Sequence, residues 1–186
     1  MAIAKKKKKF FDIEIPMLNK ETQLYAYDQK ELEGRYVKYD LTRFLRGKNS
    51  LLISRIVLKE GNITAVPVEI SLMPYFLKKM VRKGTNWVED SFSTNCKDAQ
   101  IRIKPFLVTR RKVSRAVRRA LRNKAKEELI EYLKEKTTDV IFKEILKNQL
   151  QKTLSLKLKK IYPLSLCEIR IIKVEKQFEE KTEKEK

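Results

Sequence analysis

The residues of this chain best placed to do chemistry are arginines. Between Arg110 and Lys126 stand nine basic residues and no acidic one. Arg115, Arg118, Arg119, Arg122 and Lys126 fall at i, i+3, i+4, i+7 and i+11, which sets them along one face of a helix. Arg110, Arg111 and Lys112 carry the cluster into the preceding linker. A solvated helix face ordinarily mixes signs, because like charges four residues apart repel, yet the first acidic residue here is Glu127. Arginine's planar fork grips phosphate oxygens in pairs and stacks on bases, which an ammonium group cannot do. The chemistry on offer is therefore the holding of phosphates, which positions a polyanion without reading its sequence. If six to ten such cations meet phosphates, binding falls by roughly a thousandfold or more over a modest rise in salt.

Other chemistries are poorly served. The chain has no His, which removes the commonest general base, metal ligand and partner of a nucleophile. Cys96 and Cys167 lie in separate segments without ligand spacing and read as two buried thiols of a reducing compartment, not a disulfide or metal site. Four Gly in the whole chain leave no glycine-rich phosphate loop. Glu89, Asp90 and Asp139 lack a second carboxylate at useful spacing and read as structural. Trp87 stands in an ordinary-looking strand and is expected in the core, not as a stacking platform. No cofactor, metal or catalytic residue is expected. An enzyme acting on nucleic acid is the reading these absences disfavour.

Composition sets the context. Forty-four Lys and Arg oppose 24 Asp and Glu, a net charge of +20, in a chain whose 42% hydrophobic content predicts a folded core. Such self-repulsion calls for a polyanionic partner: nucleic acid, an anionic membrane or an acidic protein, with RNA the commonest. No apolar run is long enough to span a bilayer. The basic start followed by Phe10 and Phe11 mimics a signal peptide, but Asp12, Glu14 and Pro16 interrupt its apolar part, so a cytosolic protein is expected. The apolar stripe near the arginines is Val, Ala and Leu, better suited to packing on a sheet than to entering a membrane.

The elements that must position these residues follow from periodicity. Residues 1–9, with Lys5, Lys6, Lys7, Lys8 and Lys9, form a basic arm that cannot pack and is expected to order on phosphates. Strands are predicted at Phe11–Ile15, Leu24–Tyr27, Gly34–Tyr39, Leu51–Leu58 and Ile63–Ile70, the last two joined by a turn at Glu60–Asn62. Asp40–Arg46 is ambiguous, with Leu41, Phe44 and Leu45 fitting a short helical turn. Pro74 opens a short helix that Gly84 ends, carrying Lys78, Lys79, Arg82 and Lys83. Strands follow at about Trp87–Thr94 and Gln100–Val108, where Ile101 and Ile103 alternate with Arg102 and Lys104 and set cations on one face. A long helix spans about Lys112–Lys134 with Val113, Val117, Leu121, Ala125 and Leu129 as its stripe. A second is capped at Thr137 or Thr138, with Val140, Ile141, Ile145 and Leu146 inward. Thr153–Ile161 reads as strand by its alternating leucines and as helix by its flanks. A final strand runs from Leu164 to Val174, and residues 175–186 form a charged, disordered tail. The class is α+β, with helices packed outside a mostly antiparallel sheet or small barrel. One domain covers residues 10–174, with a helical lobe over about 112–162.

Several segments together resemble the small-subunit ribosomal protein family of archaea and eukaryotes written S-three-A-e, or e-S-one. They are Lys8–Ile13, Leu32–Arg35 with Asp40-Leu41, Lys78–Lys83, Lys104–Arg122, and Ile161-Tyr162-Pro163-Leu164 followed by Ile169-Arg170 and Lys173-Val174. Departures exist: Phe10-Phe11 stands where Trp-Tyr is usual, and the long eukaryotic tail is missing, which points to an archaeal or reduced-genome source. The resemblance implies a β-barrel body with flanking helices, a structural role in the cytoplasmic small subunit, and no catalysis. It implies small-subunit rRNA including its 3′ region as partner, on the platform near the mRNA exit, with platform proteins and mRNA close by. A non-ribosomal RNA-binding or chaperone-like factor is the alternative.

Overall fold

The computed structural model describes residues 7–45, 47–59 and 62–178. The described residues fold as two compact units, one within residues 1–39 and 52–68 and the other within residues 40–51 and 69–186. Among the described residues are nine strands and four α-helices, the α+β class expected.

In the first unit, β1 (Lys9–Ile15) and β2 (Lys20–Ala26) form an antiparallel hairpin in register from Lys9↔Ala26 to Ile15↔Lys20. Its turn closes on Asn19, whose φ of 51° is one that Asn tolerates better than most residues. The expected alternation holds: Ile13 and Ile15 are buried between exposed Asp12 and Glu14. β3 (Tyr36–Asp40) follows Gly34, whose φ of +77° favours glycine and whose N–H donates to the Ile56 carbonyl at 3.0 Å. β3 pairs with β4 (Ser50–Lys59), and β1 meets β5 (Asn62–Leu72) in parallel at Glu14↔Thr64. The predicted β4–β5 turn falls at Glu60 and Gly61, outside the described residues. The arm departs from expectation at its end: Lys9 belongs to β1, and Lys8 lies over the Tyr25 and Tyr27 rings at 5.7 and 5.1 Å. Aromatic faces attract an ammonium group, so these residues pack where an unpacked tail was expected.

In the second unit, Thr42–Leu45 forms turns, with the Leu45 N–H donating to the Leu41 carbonyl at 2.8 Å. The central strand is β8 (Ala99–Thr109), paired along its length with β9 (Leu164–Gln177), which in turn pairs with β5 at Glu69–Ser71. β9 runs three residues past its expected end at Val174, because Lys176 and Gln177 still pair with Gln100 and Ala99. The expected single strand Trp87–Thr94 is two: β6 (Trp87–Glu89) and β7 (Phe92–Asn95), paired with successive parts of β8. The break falls at Asp90-Ser91, where the Asp90 carboxylate accepts from the Ser91 N–H at 2.9 Å. Opposite it, β8 carries Pro105, which has no N–H to donate, and shifts register between Lys104 and Pro105. The strand pairings among the described residues include none that closes the sheet into a barrel.

Four helices flank β6–β9. α1 (Pro74–Met80) ends four residues before Gly84, so Arg82 and Lys83 lie in the turn beyond it, not on the helix. Its Phe76 and Leu77 cluster with Leu72, Phe106 and Val108. α2 (Arg115–Lys134) starts three residues later than expected and is capped by Ser114, whose hydroxyl accepts from the Val117 N–H at 3.4 Å. α3 (Thr138–Leu146) buries Ile141, Ile145 and Leu146 as expected and Phe142 with them, while Val140, expected inward, is exposed. Thr137 makes no side-chain cap; the Asp98 carboxylate accepts from the Thr138 N–H at 3.1 Å instead. α4 (Gln149–Leu158) resolves the ambiguous segment as helix, with Leu150, Leu154 and Leu158 buried at i+4 spacing and Leu156 outward.

Candidate nucleic-acid interface

α2 carries two kinds of surface on one rod. Leu121, Ala125, Leu129 and Leu133 are buried against the rest of the second unit, where α2 packs on β6, β7 and α4. That anchorage turns the remaining faces outward. In the C-terminal half, Lys124 pairs with Glu128 at 3.1 Å, and Lys157 of α4 reaches the same carboxylate. These two lysines hold the Glu128 carboxyl below the usual range, Lys157 contributing most. In the N-terminal half, Arg115, Arg118, Arg119 and Arg122 take part in no ion pair among the described residues. Four like charges at i+3 and i+4 spacing repel one another. They also stand at the positive end of the helix dipole, with no acidic residue in the first turn. An anion at this place relieves both conflicts together.

The four arginines line one depression of about 340 Å³, whose far wall is Trp87 and Val88 of β6. Arg118 is partly buried, and its Nε is shielded from solvent without an acceptor among the described residues. What sets β6 against α2 is a set of hydrogen bonds at Asn86. The Asn86 side-chain oxygen accepts from the Val113 N–H at 2.9 Å, and its carbonyl accepts from the Thr109 N–H at 2.9 Å. The buried Thr109 hydroxyl accepts from the Asn86 N–H at 3.0 Å and lies 2.7 Å from the Arg111 carbonyl, to which it can donate. The end of β8, the linker and the start of β6 are thus tied together just before the arginines begin.

Trp87 corrects a sequence expectation: it is 55% exposed, not core. Strand parity carried the signal. Val88 is buried, so Trp87 and Glu89 project to the opposite side, and a glutamate makes a poor core residue. On that side lies a second hollow of about 420 Å³, lined by Trp87, Leu77, Val81 and Phe106 with Lys78 and the Glu89–Arg170 pair at its polar margin. That ion pair measures 3.0 Å and is partly exposed.

The other expected cations are dispersed. Arg110, Arg111 and Lys112 are exposed in the linker beside the depression. Lys126 lies over the Phe92 ring at 5.7 Å, further along α2. Arg102 is committed elsewhere, to Glu175 at 2.7 Å, and Lys104 is half-buried on β8. Lys78, Lys79, Arg82 and Lys83 are exposed at and beyond the end of α1. Lys7, Lys8 and Lys9 belong to the first unit, while Lys5 and Lys6 lie outside the described residues.

Among the described residues no three Cys, Asp or Glu side chains are grouped to hold a metal. Cys96 and Cys167 are free, and burial pushes their thiols up to about 11 and about 12. No helix of the described residues is long and apolar enough to cross a membrane.

Residues 4–177 match the Ribosomal S3Ae family. The chain is 29% identical over 173 residues to a protein of Nanoarchaeum equitans named small ribosomal subunit protein eS1, covering 89% of this chain and 87% of that one. A protein of the same name from Saccharolobus islandicus is 31% identical over 178 residues, covering 91% and 85%. One from Pyrobaculum arsenaticum is 33% identical over 100 residues, covering 53% and 46%.

Proposed function

Because the chain belongs to the Ribosomal S3Ae family, we propose that it is a structural constituent of the small ribosomal subunit that binds small-subunit rRNA through the arginine face of α2. The observation that carries this reading is the set of four arginines without ion-pair partners among the described residues beside one depression, on a helix whose other half pairs Lys124 with Glu127 and Glu128, and Glu128 also with Lys157 of α4. Phosphates supply the missing counter-charge, and no base needs to be read for that. Arg110, Arg111, Lys112, Lys126 and the cations after α1 add further backbone contacts, and Lys7, Lys8 and Lys9 do the same from the first unit. Arg102 contributes least, being already paired.

The finer address is part of the same proposal: the platform of the cytoplasmic small subunit near the mRNA exit, against the 3′ region of the rRNA and neighbouring platform proteins. The single-domain organisation over residues 10–174 belongs here too, supported by β4 and β5, which each continue from one unit into the other. So does barrel closure, supported by the register shifts that bend β8. The role is structural and involves no catalysis.

The test is sedimentation. In lysates the protein should travel with small subunits and stay with them at moderate salt; its confinement to the free fraction refutes the proposal. Changing Arg115, Arg118, Arg119 and Arg122 together to Glu should abolish that association with the circular dichroism spectrum unchanged.

A further inference from the structure

Trp87 lines two depressions of opposite character. On one side are the four α2 arginines, and on the other an apolar hollow floored by Leu77, Val81 and Phe106. An indole left 55% exposed between a cation-lined groove and an apolar hollow is costly to leave in water without a partner. It is also held there, because the Asn86–Thr109–Val113 hydrogen bonds fix the residue before it against the start of α2.

We propose that this part of the second unit takes one unpaired nucleotide of an RNA strand, its base stacked on Trp87 in the apolar hollow and its phosphates held by Arg115, Arg118, Arg119 and Arg122. The proposal rests on the rRNA-binding reading above and adds to it the kind of RNA recognised: single-stranded or bulged, since a base inside a duplex cannot reach the indole. The Glu89–Arg170 pair at the margin of the hollow offers one acceptor and one set of donors to a base edge. Neither is chosen for one base alone, so the site tolerates all four, as stacking platforms do. Lys78 closes the rim as a further cation for the neighbouring phosphate.

The chain's single tryptophan makes the test direct, because all indole emission comes from Trp87. The full-length protein is titrated with a labelled short oligoadenylate, with an abasic oligomer of equal phosphate count, and with a duplex RNA of equal length. Label anisotropy follows binding and tryptophan emission follows stacking. Oligoadenylate should quench the emission saturably, with the same midpoint as the anisotropy, while the abasic oligomer and the duplex bind without quenching. Trp87→Leu, which keeps an apolar side chain, should weaken oligoadenylate binding roughly fivefold to a hundredfold and leave the duplex unaffected. Trp87→Phe should recover part of the loss, which a merely structural role would not predict if circular dichroism shows all three proteins equally folded. Binding of oligoadenylate without quenching, or equal affinity in Trp87→Leu, overturns the nucleotide site and leaves the rRNA reading standing. Failure of every RNA to bind overturns both.

Discussion

Neutralising the α2 arginines should change how RNA binding responds to salt, by an amount the structure sets in advance. The perturbation is Arg115→Gln, Arg118→Gln, Arg119→Gln and Arg122→Gln together, which removes four charges and keeps side chains of hydrogen-bonding character. From Arg110 to Arg122 seven basic residues make no ion pair among the described residues: Arg110, Arg111, Lys112, Arg115, Arg118, Arg119 and Arg122. Each cation that meets a phosphate contributes about 0.7 to 0.9 to the slope of log affinity against log salt. The native slope from this segment is therefore about −5 to −6, and the variant should lose about 3 of it. Over a fourfold rise in salt, the gap between native and variant affinity should narrow by roughly sixtyfold. The assay is anisotropy of a labelled small-subunit rRNA fragment across a potassium chloride series. Arg102→Gln is the internal control, because Arg102 already pairs with Glu175 and should leave the slope unchanged. A variant that binds more weakly with an unaltered slope would refute the reasoning, and so would an Arg102→Gln effect as large as that of one α2 arginine. The variant should fold at least as stably as the native chain, since it relieves like-charge neighbours along α2.

Three further outcomes follow from the packing and titration of the second unit. Phe142→Ala removes a fully buried ring from α3 and should cost about 3–5 kcal/mol in urea unfolding; a loss near zero would show the site to be loosely packed. Glu128 has its folded pKa depressed by Lys157 and Lys124, so its stabilisation is present above the ordinary carboxylate range and is lost as pH falls through the folded value. The stability gap between native protein and Glu128→Gln should accordingly be full at neutral pH and vanish in acid, and a gap that widens on acidification would contradict the assignment. Cys96 and Cys167 hold their protons to about 11 and about 12. Alkylation at neutral pH should thus track global unfolding, and stability should fall as pH rises past the ordinary thiol range, where the unfolded chain releases protons that the folded one keeps.

The arginine face was legible in the sequence because a helix's periodicity is local and four residues at 3.6-residue spacing declare themselves. The leucine positions of α4 were legible by the same rule once helix was chosen over strand: Leu150, Leu154 and Leu158 keep i+4 spacing, while Leu156 fits only the strand pattern and is exposed. The features that assemble the site were not legible, because they join residues far apart in the chain. Asn86 bonds to Thr109 and Val113, 23 and 27 positions away. The split of β6 from β7 follows from Pro105 on the strand opposite. Trp87 shows the intermediate case, since its parity with Glu89 held the answer and the general preference of tryptophan for interiors concealed it. The paired state of Arg102 depends on how far β9 continues, and that continuation lies within residues whose composition resembles a tail.

The change of sign midway along α2 bears on the order in which the protein becomes rigid. Buried leucines and the Glu128 ion pairs hold the C-terminal half, whereas a single serine hydroxyl caps the first turn, against four crowded cations. Local opening therefore starts at Ser114 and stops near Leu121, the first fully buried residue of the helix. A phosphate arriving there would reinforce the Ser114 cap, so amide exchange over residues 115–120 should slow when RNA binds. On the rRNA-binding role proposed above, RNA would be part of this helix's folding as well as its partner, and the first two turns of α2 would reach their final stability only once it is bound.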